Sequence, residues 1–125
     1  ETLLDQYGWF QNNSKRQTHV AKELRPNLRG MFDMHGNAYE LCHDWYWSYP
    51  LGSVRVDPVG SSSGSDRVIR GGSFGEEAWF SRTANRSSYR PADRYPNVGL
   101  RLALVPFTPV EQAGKPDGVE TSAVQ

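Results

Sequence analysis

The chain is 125 residues long, with 14 basic and 14 acidic side chains and a formal net charge of zero. Hydrophobic residues make up 37% and charged residues 22%, the balance of a folded domain with one modest core and not of a disordered segment. Zero net charge argues against a general nucleic-acid or anionic-membrane binder, and no apolar run approaches the length of a membrane span.

In chain order, Leu3, Leu4 and Tyr7 fall at helical spacing and predict a short helix leading into Trp9-Phe10. Asn12-Asn13-Ser14-Lys15 predicts a turn, Thr18 to Leu24 a short extended stretch, and Pro26-Asn27-Leu28-Arg29-Gly30 a second turn. Met31 to Met34 alternates briefly, His35-Gly36-Asn37 predicts another turn, and Ala38 to Trp47 alternates in part between apolar and polar residues. Pro58 to Ser65 (PVGSSSGS) is a flexible connector. Arg67-Val68-Ile69-Arg70 predicts a strand that runs into Gly71-Gly72, where a close backbone approach or a bulge is expected. Ser87 to Asn97 reads as loop and Val98 to Val105 as the clearest strand. After Pro106 the composition shifts to Pro, Gly, Glu, Thr and Ser, so residues 106–125 are expected to form a disordered tail or linker. With 12 glycines and 8 prolines, long regular helices are not expected. The reading is a small α+β domain with short strands and long ordered loops, and with Ile69, Leu100, Leu102, Trp45 and Phe74 in its core.

Four runs carry a resemblance. They are Trp9-Phe10 with Asn13-Ser14; Pro26-Asn27 with the run Gly30 to Glu40 (GMFDMHGNAYE); Arg67 to Phe74 (RVIRGGSF); and Arg82-Thr83-Ala84-Asn85-Arg86 with Gly99 to Ala103 (GLRLA). In this order they resemble the formylglycine-generating-enzyme, or sulfatase-modifying-factor, family. The resemblance implies the family's variant of the C-type-lectin-like fold. Domains of this family extend further upstream. Residues 1–105 are therefore expected to be a C-terminal half, with the N-terminal half of the same domain as a partner. The family includes copper oxidases that make formylglycine in sulfatases, components of iron enzymes that form carbon–sulfur bonds, and ligand-binding proteins, so fold alone does not choose between them.

The resemblance implies where the copper-binding cysteines should stand. Glu76 and Ser81 occupy those positions, and neither supplies the soft thiolate that Cu(I) prefers. Ser73 keeps the serine of the Arg-Gly-Gly-Ser run, and Tyr39 stands where the family has tryptophan. No catalytic residue and no copper are therefore expected. The expected function is a non-catalytic module that binds a protein, peptide or small-molecule ligand. The alternative is an oxidoreductase of the sulfatase-modifying or iron-dependent sulfur-transferring type.

The resemblance also implies a structural Ca²⁺ site made by the carboxylates of Asp33 and Glu40 with the carbonyl oxygens of Gly36 and Ala38. Those are hard oxygen ligands around a turn. The competing reading is that Asp33 caps the turn and Glu40 pairs an arginine. Glu76, Trp79, Phe80, Tyr89, Arg90, Asp93 and Tyr95 correspond to the exposed binding face of ligand-binding members, or else to ordinary variable loop. Tyr, Trp and Arg are favoured contact residues.

From Ser65 to Val105 there are seven arginines, no lysine and only four acids. Exclusive use of arginine suggests structural pairing. Arg70, Ser73, Arg86 and Arg101 are taken as structural, with Glu40 or Asp44 as the expected partner of Arg70 and Arg101; the competing reading is a solvated surface. Cys42 is the one cysteine, so no internal disulfide is possible. It is read as a buried small hydrophobe. His19, His35 and His43 show no metal-ligand spacing.

Overall fold

The computed structural model describes residues 3–49, 52 and 60–103. A 3-10 helix, Leu3–Gln6, is followed by β1 (Gly8–Trp9), β2 (His35–Gly36), β3 (Tyr39–Trp45), β4 (Arg67–Arg70), a second 3-10 helix (Ala78–Ser81), β5 (Ser87–Tyr89) and β6 (Val98–Gly99). β1 and β2 form a two-stranded parallel pair. The main sheet has four strands in the order β5-β4-β3-β6. β4 is antiparallel to both neighbours, and β6 runs parallel to β3. This is the loop-rich α+β architecture expected from the glycine and proline content.

The core follows from β4. Its Val68 and Ile69 are both buried, with Ile69 fully enclosed between Leu41 of β3 and Ser87 of β5. Consecutive buried residues are the pattern of a strand covered on both faces. Tyr39 and Phe10 complete the buried apolar set among the described residues. Three serines, Ser14, Ser73 and Ser81, are buried with them. Two of these carry polar anchors: Ser14 Oγ donates to the Phe74 carbonyl at 2.7 Å, and Ser73 Oγ accepts from the Gly75 amide at 3.4 Å.

Several expectations are corrected. Leu100 and Leu102 are not core: they are 74% and 86% exposed. β6 covers only Val98–Gly99, and residues 100–103 are irregular, so the predicted strand to Val105 is cut short; residues 104 and 105 lie outside the described set. β6 is an edge strand, and among the described residues no second layer lies against its alternation. Trp45 and Phe74 are only partly buried. Thr18 to Leu24 forms no strand, because its backbone is turned at residues 21–24 and tied by side chains. His35-Gly36 is paired as β2 before the chain turns, and β5 lies within the stretch read as loop. The expected tail, residues 106–125, lies outside the described residues, as do Pro58 and Val59 of the connector.

The glycine pair after β4 is used as the sequence suggests. Gly71 and Gly72 have φ of +93° and +78°. A Cβ on Gly72 would overlap the Ser81 hydroxyl and lie 3.0 Å from Ser81 Cα. Gly72→Ala should therefore cost at least about 2 kcal/mol in urea unfolding, combining left-handed strain with overpacking. Gly30→Ala, at φ +76° with open space around it, should cost only about 1 kcal/mol. Equal losses at both glycines would show that the approach to Ser81 is not tight.

Candidate functional site

The segment from Asp33 to Glu40 folds into an open cleft of about 220 Å³. Its lining includes Asp33, Gly36, Ala38 and Glu40, all four positions of the expected Ca²⁺ set, together with Leu100 and Arg101. Three residues of the loop have positive φ: Asp33 (+54°), Gly36 (+76°) and Asn37 (+63°). Only glycine takes that conformation freely, and Asn and Asp tolerate it better than other residues do. The loop is fixed from several sides. Asn37 accepts from the His19 amide at 2.9 Å and donates to the His19 carbonyl at 3.1 Å. The Asn37 amide donates to the Trp9 carbonyl at 2.7 Å, and the Gly36 amide to the Gly71 carbonyl at 2.7 Å.

Both carboxylates of the set already have protein partners. Asp33 Oδ2 accepts from the Lys22 amide at 2.9 Å. Glu40 Oε1 accepts from Arg101 Nε at 2.6 Å. Arg101 Nη2 donates in addition to the carbonyl oxygens of Phe32 (3.1 Å) and Asp33 (3.0 Å). The hydrogen bond to Glu40, with the charges of Glu40 and Asp33, pushes the Arg101 pKa up against the cost of its burial. The described residues contain no group of three or more His, Cys, Asp or Glu side chains arranged to hold a metal, so a cation here would depend on two carboxylates and main-chain oxygens.

Arg101 therefore has the predicted carboxylate, and Arg70 does not. Arg70 Nη1 donates to the carbonyl oxygens of Thr83 (3.0 Å) and Asn85 (3.3 Å), and Nη2 to the Tyr49 hydroxyl at 3.4 Å. Register explains the miss. Arg70 is opposite Glu40 on the β3–β4 ladder, but Glu40 is taken by Arg101, and the Arg70 guanidinium reaches the carbonyls of the chain leading to β5. Arg86 likewise donates to the Trp47 carbonyl and lies over the Tyr49 ring at 3.9 Å. Arg67 donates to the His43 carbonyl and stacks on Trp45 at 3.5 Å. These arginines make their contacts through carbonyls and ring faces.

The expected copper region surrounds the end of β4. Ser81 is 3% exposed, and its Oγ has no hydrogen-bond partner among the described residues. The Ser81 carbonyl meets His35 Nδ1 at 2.8 Å. Glu76 is partly buried; its carbonyl accepts from the Gln11 amide at 2.8 Å. Tyr39 is buried nearby, and desolvation, with smaller contributions from Glu76 and Tyr89, pushes its pKa up to about 12. Cys42 is partly exposed and not fully buried as expected. Burial pushes its thiol pKa up, opposed by Arg70 and reinforced by Asp44 and Glu40.

The residues of the expected binding face fall into two aromatic pairs. Trp79 and Phe80 stack at 3.7 Å, with Trp79 Nε1 donating to Glu77. Tyr89 and Tyr95 stack at 3.8 Å and 17°. Tyr95 donates its hydroxyl proton to Asp93 at 3.0 Å, a bond that raises its pKa. Tyr89 also meets buried Tyr39 edge-on at 6.3 Å, which ties this ledge to the core. Arg90 and Asp93 are exposed. Sequence reasoning missed the Trp9–His19 stack (3.7 Å, 9°), which holds the Thr18–Val20 strip against Asn37. The one available signal was a histidine on the far side of the Asn12–Lys15 turn from the paired Trp9-Phe10 run.

The family model for the sulfatase-modifying factor enzyme 1-like domain matches residues 1–105. The formylglycine-generating enzyme of Streptomyces coelicolor is 39% identical over 90 residues, covering 69% of this chain and 29% of that enzyme. The enzyme of the same name from Bos taurus is 35% identical over 91 residues, 70% of this chain and 24% of its own length. The serine/threonine-protein kinase pkn1 of Chlamydia pneumoniae is 36% identical over 89 residues, 69% of this chain and 14% of the kinase. The chain thus spans less than a third of the length of these relatives. Among solved structures, Treponema denticola variable protein 1 superposes with a TM-score of 0.73 at 36% identity, over 78% of this chain and 35% of that one. PvdO from Pseudomonas aeruginosa superposes with a TM-score of 0.69 at 28% identity, over 80% and 40%.

The Tyr39 environment has a pH consequence. Its folded pKa lies above the ordinary tyrosine value, so the folded state keeps a proton that the unfolded chain releases. The associated stability is complete below pH 10 and is lost as pH rises toward 12. Wild type should lose melting temperature across that window more steeply than Tyr39→Phe. Parallel curves for the two proteins would assign alkaline unfolding to other groups.

Proposed function

This chain belongs to the sulfatase-modifying factor enzyme 1-like domain family, and within it we propose a non-catalytic module that binds a protein, peptide or small-molecule ligand. The observation that carries the reading is the pair Glu76 and Ser81. At these two positions the copper chemistry expected from the resemblance needs thiolates, and here they offer a carboxylate and a hydroxyl. Both are hard oxygen donors, poorly suited to Cu(I). The Ser81 hydroxyl also lies close to Gly72, where an added Cβ would overlap it.

The contact surface of the proposed module is the Tyr89–Tyr95 ledge with Arg90 and Asp93, and the Trp79–Phe80 pair with Glu76 behind it. Rigid aromatic rings supply contact area at low entropic cost, and exposed charges supply orientation. The likeness to a solved variable protein agrees with a scaffold that presents changeable side chains. The runner-up is an oxidoreductase, favoured by the 39% identity to a formylglycine-generating enzyme. Incubation with Cu(I) and a sulfatase-type cysteine peptide separates the two. The peptide should be recovered unchanged by mass spectrometry, and an aldehyde product would install the oxidase reading instead.

We also propose that the Asp33–Glu40 cleft holds Ca²⁺ in a structural role, through Asp33, Glu40 and the carbonyl oxygens of Gly36 and Ala38. The support is that all four residues line one cleft and offer hard oxygens. When bound, the ion would supply charge neutralisation and no reaction step. Calcium at 100 times its Kd would stabilise the fold by about 2.7 kcal/mol. Adding calcium should therefore raise the melting temperature of wild type and leave Asp33→Ala unmoved. An equal response in both proteins would remove Asp33 from the site.

A further inference from the structure

Arg101 sits where the proposed cation would be most needed. Its side chain is hydrogen-bonded to the Glu40 carboxylate and feels the charge of Asp33. Its Nη2 also bridges the Phe32 and Asp33 carbonyls, so one guanidinium joins the start of the loop to its end. The segment that carries it has little else to hold it. β6 ends at Gly99, and Leu100 and Leu102 on either side of Arg101 are exposed.

We infer that Arg101 is an internal counter-ion that competes with the divalent cation, so that cation loading releases Arg101 and loosens residues 100–103. This rests on the calcium reading given above. With both bound, three positive charges would face two carboxylates within one small cleft, and repulsion grows with the product of the charges over their separation. The Arg101 side chain is 39% exposed and can recover its hydrogen bonds from water when displaced, so its departure is the cheaper adjustment. No apolar packing is lost, because both flanking leucines already face solvent. The clasp thus keeps the loop closed without metal and sets the affinity with which the loop takes a cation. Since coupling between sites is reciprocal, removing the guanidinium should tighten cation binding by the factor with which the cation expels it.

The opposite role is testable against this one. Nε and Nη2 both approach Glu40 Oε1, so Arg101 could instead orient Glu40 and leave Oε2 for the ion. Calcium chloride titrated calorimetrically into chelator-stripped protein should bind Arg101→Met about tenfold more tightly than wild type. In wild type, hydrogen exchange should speed up over residues 100–103 while residues 33–40 gain protection. Calcium binding as tight or tighter to wild type, or protection gained over 100–103, overturns the competition and leaves the calcium site standing. Calcium that binds neither protein, with no exchange change, removes the calcium reading and this inference with it. If Arg101→Met does not fold, the exchange experiment on wild type decides alone.

Discussion

The structure depends on a meeting of three backbones at Gly36. The Gly36 amide donates to Gly71 at the end of β4, and the next amide, Asn37, donates to Trp9 in β1. A Cβ on Gly36 would overlap the Trp9 carbonyl, and one on the facing Gly8 would overlap the His35 carbonyl. The N-terminal segment, the loop and the central strand can therefore join only through glycine at both sides of the crossing. Each contact in it is long-range, so none forms until the chain has already folded back on itself. Ser14 extends the junction by capping the Phe74 carbonyl, and Phe74 returns its amide to Asn37. Buried polar groups satisfied in this way specify one arrangement instead of many.

Among the described residues few apolar side chains are buried, so this closure works beside a small core. Phe10, Tyr39, Val68 and Ile69 are the buried hydrophobics among the described residues, beside three buried serines. Among the other described aromatics, Trp79–Phe80 and Tyr89–Tyr95 form stacked pairs, and Trp45 and Tyr49 lie under arginines. A surface built of rings on short, backbone-anchored loops can change its side chains without disturbing the junction beneath it.

The parts of this arrangement that were legible in the sequence were those with local chemistry. Val68-Ile69 next to Gly71-Gly72 announced a buried strand ending in a close approach, and the Pro26–Gly30 turn is closed by the Asn27 side chain as its composition suggests. Leu100 and Leu102 misled because alternation specifies a buried face only when a second layer lies against it. β6 is at the sheet edge, and no such layer lies there among the described residues. The arginines misled in another way. Composition can show that guanidinium groups need acceptors, but not whether an acceptor is a carboxylate or a carbonyl. Arg101 found Glu40, whereas Arg70 and Arg86 found the main chain. In the candidate site, the cleft members were readable from the resemblance and the Arg101–Glu40 pair from the arginine excess, whereas the partner of Asp33 was not, since the Lys22 amide is a main-chain donor that composition does not reveal.

The Gly36 junction and the side-chain chemistry at Glu76 and Ser81 are separable for a physical reason. The Gly36 crossing is made of main-chain groups and glycines, and the second 3-10 helix reaches it through Ser81. That helix touches the junction at one point, where the Ser81 carbonyl meets His35 and its hydroxyl faces Gly72. A serine there satisfies the steric demand as a cysteine would, since the two differ by one atom at the same branch. It does not satisfy the electronic demand of a soft metal. The backbone contacts that make the fold thus place no requirement on the chemistry at Ser81 beyond small size. The scaffold can therefore take a hydroxyl or a thiol at this position while keeping the main-chain contacts on which its architecture depends.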